Sequence, residues 1–196
     1  MKLIAFADIH GSVKIINDII NKAKREKADF IICAGDISLF SGNLNKSFSK
    51  LKCGIPVIVI PGNHEDEAEL KQLCRKFGFL YLHNGYYRIG NYLFIGHGGG
   101  GFSLRDEDFE NIAKKIKKII KRNDKVVLIT HAPPYGTKLD SLPMGYVGCK
   151  SFTKFIKEAK PILHISGHLH ETAGITDKIG NTKLINVSLK GRIIEI

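Results

Sequence analysis

An alternation constrains this chain more than any other feature. Three apolar runs of strand length, residues 2–7, 30–34 and 56–60, are separated by stretches whose apolar residues recur at helical spacing. A continuous apolar run of that length reads as a strand buried on both faces. After the first run, Val13, Ile16, Ile20 and Ala23 form a helical stripe behind Ser12, whose hydroxyl suits an N-cap. Residues 44–51 read as a second helix and 65–77 as a third, with acidic residues in its first turn, where the helix dipole favours them. Strand followed by helix, three times over, predicts an α/β fold with a largely parallel sheet.

The second half changes character. Residues 86–89 and 92–95 flank Gly90-Asn91 and predict a hairpin. Phe109, Ile112, Ile116 and Ile119 mark a long helix, with Lys114, Lys115, Lys117, Lys118, Lys121 and Arg122 largely off that stripe. A strand over 125–130 runs into His131, a helix covers 151–160, and a strand covers 162–165. Three short strands are expected around 174–176, 182–187 and 192–196. No repeat, low-complexity segment or linker interrupts residues 1–196, which predicts one domain with two sheets. A chain of this size buries roughly 70% of its unfolded surface, so its core needs no disulfide.

Composition narrows the function classes. Cys33, Cys53, Cys74 and Cys149 lack the two-residue spacing of a metal or redox motif and read as free thiols in a reducing compartment. No apolar run approaches the roughly 20 residues of a membrane span. The apolar residues before Asp8 are too few for a secretory segment. A cytoplasmic protein without a membrane partner is expected. The 30 Lys and Arg outweigh the 19 Asp and Glu, for a net charge of +11. Most of that charge is lysine spread along the chain, which reads as a solvated surface rather than a nucleic-acid platform.

The chemistry sits at the strand ends. Asp8 and His10 follow the first strand, Asp36 the second, and Asn63 and His64 the third. His131 follows the strand over 125–130, and His168 and His170 follow that over 162–165. Open α/β sheets bind ligands beyond the carboxyl ends of their strands, so five strand ends deliver oxygen and nitrogen donors toward one crevice. Asp8 and His10, like His168 and His170, are two apart, which in extended chain puts both side chains on one side. Gly35, Gly62 and Gly167 precede Asp36, Asn63 and His168 and are expected to let the chain turn sharply. Imidazole, carboxylate and amide oxygen together suit Mn, Fe, Ni, Co or Zn. Asp8, His10, Asp36, Asn63, His131, His168 and His170 are too many donors for one ion with an open position, and match two.

In this order, Asp8-Ile9-His10, Gly35-Asp36, Gly62-Asn63-His64-Glu65, His131 and Gly167-His168-Leu169-His170 match the motifs of calcineurin-like metallophosphoesterases. The chain resembles small, single-domain, microbial members of that superfamily over about residues 1–190, including Thr130-His131-Ala132-Pro133-Pro134-Tyr135-Gly136. The resemblance implies a four-layer α/β/β/α sandwich of two mixed sheets flanked by helices. It implies that Asp8, His10 and His170 bind one divalent ion, that Asn63, His131 and His168 bind a second, and that Asp36 bridges them. Manganese is the first choice for the pair. His64 is then the catalytic residue acting on the substrate. One departure stands out. Many phosphoprotein phosphatases of the superfamily carry an Asp three residues after the bridging Asp, to orient the catalytic His; here that position is Leu39. That subgroup is not expected, and Glu65 and Asp66 are the adjacent candidates to orient His64.

Two divalent ions bring four positive charges, and Asp8, Asp36 and a bridging hydroxide bring three negative, leaving about +1 to attract a phosphate. The expected activity is metal-dependent hydrolysis of phosphoric esters, foremost small or cyclic phosphodiesters, by attack of the bridging hydroxide. His64 would protonate or hydrogen-bond the leaving oxygen. The alternatives are a metal-dependent nuclease, which needs a continuous basic groove, and a non-catalytic interaction scaffold on the same fold. Gly98-Gly99-Gly100-Gly101 lacks the spacing of a phosphate-binding loop and reads as a turning or mobile loop beside the site. His97 is expected to stand apart from the metals, His164 to be a packed core histidine and His83 a loop residue. Glu171 is a candidate to orient His170. Tyr135 and Asp140 are candidates for a substrate cleft or for plain surface.

Overall fold

In a computed structural model, residues 1–38, 44–187 and 189–196 are described; Leu39, on which the comparison with phosphoprotein phosphatases turned, lies outside them. Strands β1 (Lys2–Phe6), β2 (Phe30–Cys33) and β3 (Val57–Val59) pair in parallel, as the alternation predicts. The two-residue strand β4 (Leu80–Tyr81) extends that sheet in parallel beyond β3. The last strand of the chain, β13 (Arg192–Glu195), closes the other edge antiparallel to β1. In the second sheet β6 (Tyr92–His97), β7 (Lys125–Thr130), β10 (Leu163–Ser166) and β12 (Thr182–Asn186) run parallel. Its edges, β5 (Gly85–Ile89) and β11 (Thr176–Ile179), are antiparallel to their neighbours.

Strand alternation explains the layers. Ile4 and Phe6 of β1, Ile31 and Cys33 of β2, and Val57 and Val59 of β3 pack outward with residues of α1 (Val13–Arg25), α2 (Leu44–Leu51) and α3 (Glu67–Phe77). The residues between them, Leu3, Ala5, Ile32 and Ile58, pack inward with Phe94, Val127, Ile129, Ile165 and Ile185 of the second sheet. That sheet's other face, with Leu93, Ile95, Val126, Leu128 and Leu184, packs on Phe109 and Ile116 of α4 (Glu107–Lys117) and on Phe152 and Ile156 of α5 (Lys150–Ala159). Both faces of each sheet are covered, which is why the central strands lack polar alternation. The result is the four-layer α/β/β/α sandwich.

The helices begin where side chains satisfy their first N–H groups. Ser12 Oγ accepts from Ile15 N (3.4 Å), Asp66 Oδ1 from Glu69 N (2.8 Å) and Asp106 Oδ1 from Phe109 N (2.8 Å). Asp66 as the cap of α3 moves its start two residues past the expected one, and Gly78 at φ 74° ends it. β4 and the small hairpin of β8 (Ser141–Leu142) and β9 (Gly145–Tyr146) escape sequence reading because two-residue strands carry no periodicity. α4 stops at Lys117, although Ile119 and Ile120 still pack on the outer core. All four cysteines are free. Among the described residues no helix is long and apolar enough to cross a membrane.

His164 is the expected packed core histidine. The Thr130 hydroxyl donates to Ala132 O (2.6 Å), so it accepts from His164 Nε2–H (2.8 Å) and the ring is neutral. Burial lowers its pKa to about 3. An unfolded histidine titrates near about 6.5. Between those values the unfolded chain holds the extra proton, so stability falls as pH drops. The stability difference between the wild type and His164→Leu should therefore shift against the wild type by about 1.4 kcal/mol per pH unit below about 6.5. Urea unfolding at pH 7, 6 and 5 checks this, and parallel acid profiles would place the titration elsewhere.

Candidate metal centre

The loops after β1 and β2 continue to pair beyond the sheet. Asp8 N donates to Gly35 O (3.1 Å), His10 N to Asp36 O (3.2 Å) and Gly11 N to Ile37 O (2.7 Å). The chain bends sharply within this pairing. Asp8, His10, Asp36 and His168 all take positive φ, at 57°, 46°, 52° and 69°. Left-handed backbone costs a non-glycine residue roughly 1–2 kcal/mol, and such residues cluster at functional sites. The expected reason for the two-residue spacing is therefore replaced. Asp8 and His10 share the crevice through two left-handed bends rather than extended alternation, and His170 starts a short 3-10 turn, His170–Thr172.

Of the three glycines, two act differently from the expectation. Gly35 does turn at φ 97°, but a Cβ there would lie 2.5 Å from His131 Nδ1. A Cβ on Gly62 would overlap Asp36 Oδ1, and one on Gly167 would meet Ala7 Cβ and Asp8 Oδ2. At Gly62 and Gly167 the missing side chain is space for the site rather than freedom to turn.

Those close approaches gather the donors. Single ligand atoms of Asp8, Asp36 and His131 lie within 4.8 Å of one another, and all three residues are buried. His131 Nδ1 donates to Ala34 O (2.9 Å), across the two sheets, so in the neutral ring Nε2 is a bare lone pair. That nitrogen lies 3.0 Å from Asn63 Oδ1 and 3.5 Å from Asp36 Oδ2. Three lone-pair atoms facing one point call for a shared cation or proton. Burial opposes charge on His131, but the Asp36 hydrogen bond and the charges of Asp36 and Asp8 outweigh it and raise its pKa. On Asp36 burial is likewise outweighed, by His131 and by the His64 N–H, and the pKa falls. Asp8 stays raised by burial, even though His168 N donates to both its oxygens (3.2 and 3.0 Å). His10 Nε2 and His170 Nε2 face each other at 3.4 Å. Two enclosed ring nitrogens, His10 Nδ1 and His168 Nε2, have no hydrogen-bond partner among the described residues. Burial, first, and the His131 charge lower the pKa of His168 to about 4, leaving it neutral. Buried carboxylates beside the neutral His168 imidazole fit divalent cations.

His64 stands at the edge of this group. Its backbone N donates to Asp36 Oδ1 (3.1 Å), its Nε2 lies 3.8 Å from Asp36 Oδ2, and its side chain is 28% exposed. Neither neighbour proposed to orient it is engaged in that way. Asp66 caps α3, and the Glu65 carboxylate accepts from Asp36 N (3.0 Å), Ser38 N (3.0 Å) and Gly62 N (2.7 Å). Glu65 thus staples the loops after β2 and β3, a role that adjacency in sequence does not reveal.

Other residues fall away from the centre. His97 is buried between Asn84 (2.6 Å) and Asp106 (2.8 Å). His83 is more than a loop residue: its Nδ1 accepts from Gly98 N (2.9 Å) and its ring stacks on His97. Asp140 does not line a cleft; it is fully buried and accepts from the backbone of Gly136, Thr137 and Gly148. Tyr135 packs against Tyr146, and Glu171 is exposed. Phe102, which carries no sequence signal, sets its ring 4.7 Å from that of His168.

Comparison with known proteins adds three findings. Residues 1–172 match the family profile described as calcineurin-like phosphoesterase. An uncharacterized protein of Methanocaldococcus jannaschii, MJ1162, is 30% identical over 99% of this chain and 91% of its own length. Two solved structures share the fold: TT1561 of Thermus thermophilus, with a TM-score of 0.80 at 15% identity over 96% of this chain and 90% of that one, and a dimetal phosphatase from Danio rerio, with 0.71 at 12% identity over 96% and 88%.

The Glu65 staple gives a prediction about stability. Glu65→Ala removes the acceptor of three backbone N–H groups and should cost roughly 2–3 kcal/mol in urea unfolding of the metal-free protein. A change below about 0.5 kcal/mol would show that water replaces the carboxylate.

Proposed function

The chain belongs to the calcineurin-like phosphoesterase family, metal-dependent hydrolases of phosphoric esters, and from that premise we propose a two-metal phosphodiesterase for small or cyclic phosphodiesters. The observation that carries the two-metal reading is the convergence of Asp8, Asp36 and His131 within 4.8 Å, with the orphaned nitrogens of His10 and His168 around them. We assign Asp8, His10 and His170 to one ion and Asn63, His131 and His168 to the other, with Asp36 between them. A bound pair would supply positive charge toward the phosphoryl oxygens and lower the pKa of water at the site. The chain's own residues do the rest. Ala34 O holds His131 in the tautomer that aims Nε2 into the centre. Backbone N–H groups of His168 and His64 orient the Asp8 and Asp36 carboxylates. His64, at the partly open edge, is the residue placed to give a proton or hydrogen bond to the leaving oxygen. Domain limits of 1–196 and a manganese pair complete the proposal.

Three measurements test it. Asp36→Asn should lose both ions and nearly all turnover; two full-occupancy ions in that variant would remove Asp36 from the bridging position. His64→Ala should keep both ions and lose about 10²- to 10⁴-fold in kcat; loss of an ion instead would make His64 a ligand. With manganese, kcat/KM should be highest for bis-aryl phosphate and cyclic nucleotides, ahead of mono-aryl phosphate and single-stranded DNA. Fastest turnover of DNA, falling steeply with salt, would favour a nuclease.

Acid should weaken metal binding, and the pKa of His131 gives the sign. A raised pKa in the metal-free protein means that its proton competes with metal from above the usual value near about 6.5. His168, held low, adds no competition at that pH. Manganese affinity measured from pH 8 to 5 should fall from above about 6.5, and His131→Asn should flatten that fall. An affinity constant down to pH 5 would exclude His131 as a ligand.

A further inference from the structure

Phe102 is the part of the crevice that the metal chemistry does not explain. It is 65% exposed, although a large apolar ring in water is unfavourable. It stands against a polar centre rather than in an apolar core: its ring is 4.7 Å from that of His168 at 59°, and the His168 ring is 5.1 Å from that of His131.

The segment that carries Phe102 is held at both ends. Gly98 N donates to His83 Nδ1 (2.9 Å) and Gly99 N to Pro61 O (3.0 Å), beside Gly62 and Asn63 of the centre. Ser103 N closes a turn onto Gly100 O (3.1 Å), and Asp106 N donates to Ser151 Oγ (3.1 Å). Beneath it Asn84, His97 and Asp106 form a hydrogen-bonded chain, with steps of 2.6 and 2.8 Å, and the His83 ring stacks on His97. A glycine run leading into the ring leaves it flanked by backbone: a Cβ on Gly99 or Gly101 would meet none of the described residues within 4 Å. Among the described residues the loop therefore presents an exposed aromatic ring, with space beside it, next to a proposed ligand of the second ion.

We propose that Phe102 is a stacking platform for a planar aromatic group of the substrate, a nucleobase or aryl ring, while its phosphate lies at the metal centre. The proposal rests on the assignment of that centre above. An aromatic ring with a free face favours a flat partner, in offset or tilted contact with centroids about 4.5–7 Å apart. Phenylalanine adds no hydrogen bond, so the platform would prefer rings over sugars or alkyl groups without choosing among bases.

The test is binding, separate from turnover. Titration calorimetry on the manganese-loaded protein compares adenosine monophosphate with ribose 5-phosphate, which carries the phosphate and sugar without the base. The wild type should prefer the nucleotide by about tenfold or more, Phe102→Ala should lose about tenfold of that preference, and Phe102→Trp should keep it. Metal content is measured on the same samples. An unchanged preference in Phe102→Ala, or loss of metal from it, would overturn the platform, the latter by making Phe102 a support for His168. Hydrolysis of phosphoesters by the wild type is scored separately. A protein that hydrolyses none, yet loses its preference with Phe102, keeps the platform and refutes the hydrolase reading. A working hydrolase whose preference ignores Phe102 does the reverse.

Discussion

The juxtaposition of Asp8 and Asp36 is the constraint around which the rest of the structure is arranged. Both carboxylates are nearly inaccessible, with an oxygen of each within 4.8 Å of the other's. At that distance, with an effective dielectric constant of about 20, two full negative charges repel by about 3–4 kcal/mol, before desolvation is counted. The chain answers in part with backbone N–H groups on each carboxylate and with His131 against Asp36. The remaining imbalance shows in opposite shifts: Asp8 is harder to ionise and Asp36 easier. Positive charge is what the centre lacks, and a family of metal-dependent hydrolases supplies it as cations.

The scaffold carries that centre on strained loops. Four of its residues take left-handed backbone, and three glycines remove side chains that would strike Asp8, Asp36 or His131. Strain of this kind persists only when its surroundings over-determine it. Here the two sheets do so, because the loops emerge from strands covered on both faces and are stapled to one another. Glu65 takes the backbone of the loops after β2 and β3, and Ala34 O takes His131 from the opposite sheet. Burial of Glu65 carries a desolvation penalty that raises its pKa, offset in part by its three N–H partners.

Much of this was legible in the residues. The apolar runs and helical stripes predict the helices and the central strands, since a strand buried on both faces leaves a continuous signal and Ser12 marks a helix start; the half-exposed edge strand expected around 174–176 lies instead at Thr176–Ile179. The ordered Asp, His and Asn residues at five strand ends locate the crevice. What escaped was local or long-range. Two-residue strands carry no period, and the left-handed bends at Asp8 and His10 leave the same spacing as an extended chain. The roles of Gly62 and Gly167 depend on what approaches them from other loops. Asp140 looked available for a cleft, yet its carboxylate is consumed by the backbone of its own loop. Phe102 was invisible because contact with His168 joins segments 66 residues apart in a loop without pattern.

Depth separates the histidines, and the proposed tasks follow it. His131 is wholly buried, His10, His64 and His168 are half-buried, and His170 is exposed at the rim. A ring at the floor can hold a cation but cannot reach the leaving group of a substrate that arrives from solvent. His64 sits between these extremes, with its side chain partly open and its backbone N–H bound to Asp36 Oδ1. The residue proposed to serve the leaving oxygen is in this way tied to the carboxylate proposed to bridge the metals. On that proposal the leaving group and the centre share a hydrogen bond of 3.1 Å, from His64 N to Asp36 Oδ1.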